Sequence, residues 1–313
     1  MKIAPTPGLV VLIGGTGFIG TALAEVLARA GWQLRIAVRD TVAALRLKPL
    51  GDVGQIGAIC ADVRVPASLA AAVRGADVVV NLTGLLDEKG GQSFEDVHVK
   101  GAAAAATAAA QAGAKAFVHL SAIGADAASA SAYGRSKAAG EAAVKAAFPA
   151  AAIVRPSLVF GAEDGFTNRF ASLIASAPAV PVIAPGSRFQ PVYVKDLAAA
   201  LKAIIEQSAS GIFEIGGPEV LSMKQILGFI AQETGHGEKL LVDAPDFGAR
   251  LLAGLGFLPG APLTKDQYLM LKQDNVVSGA YPGLAGLGIA ATPLEAVSGQ
   301  WLARYRAGGR FAA

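Results

Sequence analysis

Short apolar runs recur along this chain, each followed by a stretch in which small and apolar residues fall three or four apart. Leu9 to Ile13, Gln33 to Val38, Gln55 to Cys60, Asp77 to Leu82, Ala116 to Leu120, Ala152 to Val154 and Ile212 to Ile215 are too short for helices and rich in Val, Ile and Leu. They read as strands. Helical patterns lie between them, through Leu23, Val26, Leu27 and Ala30 before Gly31, and in Ala-rich stretches over Gly101 to Ala112 and Ser136 to Ala147. Such alternation marks a parallel sheet covered on both faces. After Pro156 the pattern changes: Pro178, Pro181, Pro185 and Pro191 break the chain into loops, and residues 217–313 return to helical patterns punctuated by Gly and Pro. The chain is therefore expected to divide into 1–160 plus 188–216, carrying the sheet, and 161–187 plus 217–313, a smaller lobe over the reactive end of a ligand.

Composition narrows the class. The 313 residues are 53% hydrophobic and 16% charged, enough for a large core. Residues 9–30 are oily, but glycines and Glu25 interrupt them and they divide into a strand and a helix, so no membrane span is expected there. A signal peptide is not expected either, because Gly14 to Gly20 would be removed with it. A net charge of +3 without a dense basic block gives no reason to expect nucleic acid. One cysteine precludes an internal disulfide and fits a reducing compartment, and the scattered His98, His119 and His236 lack metal-ligand spacing.

Candidate chemistry lies in two places. Gly14, Gly17 and Gly20, between an apolar strand and a helical pattern, fit a turn whose bare backbone approaches a pyrophosphate at a helix N-terminus. Further on, Tyr133 and Lys137 stand one helical turn apart, behind Ser121 at the end of an apolar run. A free tyrosine titrates at about 10, and an adjacent ammonium is expected to lower that value and equip the phenol for proton transfer. Ser121 would hold a carbonyl oxygen meanwhile. A Tyr and a Lys four apart also occur on ordinary helices, so the pair gains its meaning from the glycine turn. Arg39, about 20 residues beyond that turn, stands where an NAD-specific protein places an acid. Its planar cation suits a 2′-phosphate, with Asp40 as the counterargument.

Taken with these motifs, Phe94 to Lys100, His119 to Gly124, Tyr133 to Glu141, Val154 to Ser157, Gln190 to Asp196, Leu263 to Gln267 and Asp274 to Val277 make the chain resemble the short-chain dehydrogenase/reductase superfamily. The resemblance is to its atypical, epimerase/dehydratase-like branch, which includes the 39 kDa subunit of respiratory complex I. It implies a Rossmann-type doubly wound α/β fold with a smaller, mostly helical C-terminal substrate lobe. It also implies a cofactor site of Gly14, Thr16, Gly17, Phe18, Ile19, Gly20, Arg39, Asp62, Val63, Leu82, Thr83, Gly84 and Pro156, together with Tyr133 and Lys137. Ser121, Tyr133 and Lys137 would be the catalytic group. Asp62 would sit near the adenine, although it also suits a helix cap, and Arg155 to Ser157 would floor the substrate side. Related enzymes often carry Asn where this chain has His98, which weakens any borrowed proton relay.

The leading expectation is an NADP(H)-dependent oxidoreductase, with NAD(H) as the alternative cofactor, acting on an apolar carbonyl or quinone-like small molecule. The runner-up is a non-catalytic nucleotide-binding accessory or assembly protein of a respiratory complex, and the third is a nucleotide-sugar epimerase or dehydratase. Location is expected to be cytoplasmic, or peripheral at the inner membrane. Residues 246–258 hold a single cation in an apolar stretch, so they are read as either a buried helix or a docking surface for a lipid-like substrate or a membrane complex.

Overall fold

The computed structural model describes residues 7–88, 90–254 and 263–309, apart from the side chains of Leu251 and Leu252. Strands β1 (Leu9–Ile13), β2 (Gln33–Val38), β3 (Ile56–Cys60), β4 (Val78–Asn81), β5 (Ala116–Leu120) and β6 (Ala152–Pro156) join the strand Gly211–Ile215 in a seven-stranded sheet. Its order is Gly211–Ile215, β6, β5, β4, β1, β2, β3, and every pairing is parallel. Strand order reverses at β1, between β4 and β2, which is the doubly wound arrangement.

Both faces of the central strands are covered, which is why they read as mostly apolar runs, while the edge strand β3 is largely exposed. Val10 and Leu12 point to one side, against Leu23, Ala24 and Leu27 of helix α1 (Phe18–Arg29) and against Leu197, Leu201 and Ile204 of the helix Val194–Glu206. Val11 and Ile13 point to the other, with helices α2 (Pro66–Ala72), α3 (Ala102–Gln111) and α4 (Ala132–Ala147). The alanines of α3 bury Ala102, Ala105, Ala106 and Ala109 completely, so the Ala tract is a tightly packed helix. A π-helical turn, Glu95–Gly101, leads into it, so the helix begins earlier than the Ala pattern indicates.

A further core lies outside the sheet. Ala171, Ile174, Ile226, Leu227, Ile230, Trp301 and Leu302 pack together from the helices Gly165–Ser176, Met223–Glu233 and Leu294–Leu302. The mostly helical region also contains a parallel strand pair, Ala179–Val182 with Leu240–Asp243, that the apolar pattern did not single out. In the helix Asp246–Gly254, Ala249 and Ala253 are buried beside Leu263 and Tyr268 while Phe247 is 80% exposed. The rest of the apolar stretch, residues 255–258, lies outside the described residues. Among the described residues no helix is long and apolar enough to cross a membrane.

Candidate active site

The turn after β1 is built from backbone. Gly14 has φ +78°, and its N–H donates to the Ala37 carbonyl at 2.9 Å, turning the chain off the sheet edge. A methyl group at Gly20 would stand 2.6 Å from the Gly15 carbonyl oxygen, so only glycine lets α1 lie this close to the turn. Gly17 caps α1 without a side chain, and no acidic residue occupies the first turn. The helix thus presents amides and the positive end of its dipole to any anion seated there, which suits a pyrophosphate. A methyl at Gly14 would touch Thr83 Cγ2 at 3.1 Å, so the turns after β1 and β4 meet at the point where strand order reverses. Thr83 is fixed there by Asn81 Oδ1, which accepts its hydroxyl at 2.6 Å and its amide at 3.2 Å. Phe18 lies under Gly161, and Ile19 packs on the core beneath the turn.

Cations gather beyond β2. Arg39 is exposed at the strand end, and the carboxylate of Asp40 folds back to accept the amides of Val42 at 2.9 Å and Ala43 at 3.2 Å. Asp40 therefore serves a turn through one carboxylate oxygen, Oδ1. Arg46 reaches across the glycine turn and donates to the Thr16 carbonyl, a contribution the sequence pattern did not reveal. Its only sequence signal is a second arginine following closely on Arg39. Asp62 sits past β3, but its carboxylate is gripped by Arg64, whose Nη2 is 2.6 Å from Oδ2 and whose Nε is 3.0 Å from Oδ1. That hydrogen-bonded guanidinium holds the Asp62 carboxyl below the usual range. It caps no helix: α2 starts after Val65 without a side-chain cap. Val63 turns its side chain into the core beside Gly101, so only its backbone can face a ligand.

Tyr133, Lys137 and Glu141 follow one another at four-residue intervals on α4, and so share a face. Lys137 Nζ donates to the Leu120 carbonyl at 2.9 Å and stands 6.0 Å from the Tyr133 ring centroid. The expected lowering of the phenol does not occur in this state. Burial pushes Tyr133 up to about 12 and Lys137 down to about 8, and the nearby Glu141 carboxylate offsets only part of the lysine's shift. Phe94 and His98 meet the Tyr133 ring edge-on at 6.0 and 5.5 Å. His98 Nε2 accepts the Leu85 amide at 2.8 Å, so Nδ1 carries the hydrogen and donates to Ser136 Oγ at 2.8 Å. Ser136 in turn donates to the Tyr133 carbonyl at 2.8 Å. This chain ends on backbone, so His98 orients α4 and the turn after β4 without reaching the phenol. Burial pushes the imidazole down to about 3.

Ser121 differs from its expected role. Its hydroxyl donates to Glu141 Oε1 at 2.5 Å, and Arg155 clamps the same carboxylate through Nε at 2.8 Å and Nη2 at 2.6 Å. With its proton committed, Ser121 offers lone pairs to a substrate, which suits a hydroxyl better than a carbonyl oxygen. Glu141 is the residue missed here; its signal was its place on the Tyr133–Lys137 face. Pro156, the last residue of β6, pairs with Ile215, and its carbonyl accepts the Ile123 amide at 3.0 Å.

The structure thus brings Gly14 to Gly20, Thr83, Gly84, Ser121, Tyr133, Lys137 and Pro156 to the carboxyl-terminal edge of one parallel sheet. A methyl at Gly84 would lie 3.8 Å from Lys137 Nζ, joining the glycine side of this edge to the Tyr-Lys side. Fold and edge together define a doubly wound, dinucleotide-binding type of protein carrying a Ser-Tyr-Lys group. Residues 10–216 match the NAD dependent epimerase/dehydratase family, and the chain belongs to it. It is 36% identical over 302 residues to NADH dehydrogenase [ubiquinone] 1 alpha subcomplex subunit 9, mitochondrial, of Mus musculus, covering 94% of this chain and 80% of that protein. It is 37% identical over 209 residues to the ceramide reductase of Caulobacter vibrioides, covering 66% of this chain and 64% of that protein. In fold it is similar to the triphenylmethane reductase of Citrobacter sp., solved with NADP(H), with a TM-score of 0.74, 19% identity, and coverage of 93% of this chain and 99% of that one.

Proposed function

We propose that the protein is an NADP(H)-dependent oxidoreductase of the atypical short-chain type, acting on an apolar carbonyl compound. The observation that carries this reading is the convergence of the glycine turn, Tyr133 and Lys137 on one sheet edge at the strand-order reversal. The residues suit the cofactor: a backbone-lined helix N-terminus for the pyrophosphate, and the cations of Arg39 and Arg46 for a 2′-phosphate. When bound, the nicotinamide supplies or accepts a hydride. Tyr133 then gives its phenol proton to the developing alkoxide, and the ammonium of Lys137 stabilises the phenolate left behind. Ser121, tied to Glu141, accepts a hydrogen bond from the resulting hydroxyl. Residues 161–187 and 217–313 would supply the substrate side, and the relative named as a ceramide reductase favours an apolar carbonyl.

A second reading is favoured by the similarity to the mitochondrial complex I subunit over nearly the whole chain. In it the nucleotide is held structurally, and the protein works as a peripheral partner of a membrane respiratory complex. Titration calorimetry with NADPH and NADH, followed by absorbance at the NADPH band with a long-chain apolar ketone, tests the proposal. Tighter NADPH binding, a preference lost in Arg39→Ala, and NADPH consumption support the oxidoreductase. Tight nucleotide retention without consumption, together with capture of respiratory subunits, supports the second reading.

A further inference from the structure

The segment 264–278 crosses the carboxyl ends of β5 and β6 and is fastened along its length. Thr264 and Gln267 cap the helix Lys265–Leu271 reciprocally, which fixes Asp266 in its first turn. Further along, Ser157 Oγ donates to Asn275 at 2.7 Å, Asn275 Nδ2 donates to the Ile123 carbonyl at 3.3 Å, and Ser278 donates to Glu214 through its amide at 2.6 Å and its hydroxyl at 2.7 Å. From this braced position Asp266 meets the start of α4. Its Oδ1 accepts the Ala132 amide at 2.6 Å and its Oδ2 accepts the Tyr133 amide at 3.0 Å. The local cap, Ser131, takes only the Gly134 amide, at 2.9 Å. Helix-start amides at a wet surface are ordinarily left to water or to a neighbouring side chain. Here a carboxylate from a remote segment takes the amide of Tyr133 itself, while Ser136, held in turn by His98, donates to the carbonyl of the same residue. The backbone of Tyr133 is gripped on both sides.

We propose that Asp266 is a positioning residue for Tyr133, and that the 264–278 strap sets where the phenol stands at the sheet edge. This inference rests on Tyr133 as the proton-handling group. The test is fluorine NMR of the full-length, nucleotide-free protein with its five tyrosines replaced by 3-fluorotyrosine, the Tyr133 signal being assigned by its loss in Tyr133→Phe. In Asp266→Ala the Tyr133 resonance should broaden and move toward the position of an exposed tyrosine, while those of Tyr193 and Tyr305 stay in place. Asp266→Asn, which keeps an oxygen acceptor and the side-chain shape, should restore much of the wild-type position. If the alanine variant does not fold, Asp266→Leu, which fills the same space without an acceptor, carries the test and should move the Tyr133 resonance in the same way. Ser131→Ala, which weakens the same helix start through its own cap, should lower thermal stability with a smaller change at Tyr133. An unchanged Tyr133 signal in folded Asp266→Ala, or in Asp266→Leu should the alanine variant not fold, overturns the proposal. NADPH titration of the same samples separates the two ideas, because failure of the wild type to bind NADPH would count against the oxidoreductase reading and leave the fluorine result to decide the role of Asp266.

Discussion

Tyr133 and Lys137 stand one helical turn apart, yet burial governs each of them more than the other does. Their balance should appear in the pH dependence of turnover. The phenol, pushed up to about 12, stays protonated throughout the working range, whereas Lys137, pushed down to about 8, loses its charge within it. Reduction should therefore fall as pH rises through about 8, because a neutral lysine no longer stabilises the phenolate; initial rates against pH check this. Tyr133→Phe should abolish turnover with nucleotide affinity nearly intact, and calorimetry beside rate measurement should show Lys137→Met weakening both. His98 makes a separate prediction about stability. Its folded value of about 3 lies below the unfolded value of about 6.5, so the unfolded chain takes up a proton first as pH falls. The contribution of neutral His98 is complete above about 6.5 and is lost progressively toward about 3, amounting to roughly 3–5 kcal/mol across that window. In urea titrations at several pH values, His98→Gln should be less stable near neutrality and show a flatter decline between those limits.

The elements whose packing is uniform were legible from the apolar pattern. The runs over β1, β2 and β5 coincide with the strands residue for residue, because a strand covered on both faces is mostly apolar, with Arg35 and His119 as the polar interruptions. The glycine turn was legible for an equally local reason, since a positive φ at Gly14 and close approach at Gly20 restrict both positions to one residue type. What escaped was set by partners far away in the chain. The pairing of Ala179–Val182 with Leu240–Asp243, the π-turn at Glu95–Gly101 and the engagement of Ser121 by Glu141 are tertiary outcomes with no signature at local spacing. Arg46 belongs with them, because only the fold carries it over Thr16. The glycine turn yields a prediction. In Gly20→Ala the added methyl meets backbone at Gly15 that cannot rotate away, so α1 must shift from the turn. Calorimetry should find nucleotide binding at least tenfold weaker, with a stability loss of about 1–3 kcal/mol.

Across the whole molecule, the cation of Arg155 holds together parts that meet nowhere else in sequence. It leaves the end of β6, binds Glu141 of α4, stands 3.6 Å from Glu214 on the edge strand, and lies 5.7 Å over the ring of Tyr281. Glu214 in turn anchors the end of the strap at Ser278. The arginine side chain is only 17% exposed and the two carboxylates 7% each, so the three charges are tolerable in this environment only as a set. Replacing Arg155 with Met would keep most of the packing volume but leave two buried carboxylates unpaired, at a cost of about 3–5 kcal/mol. The double variant Arg155→Met, Glu141→Gln should be more stable than Arg155→Met alone, because it removes one stranded charge while an amide oxygen can still accept from Ser121. Denaturant unfolding of the wild type, both single variants and the double variant measures the coupling directly. Additive losses would mean that the three groups act as independent surface charges and not as one buried set.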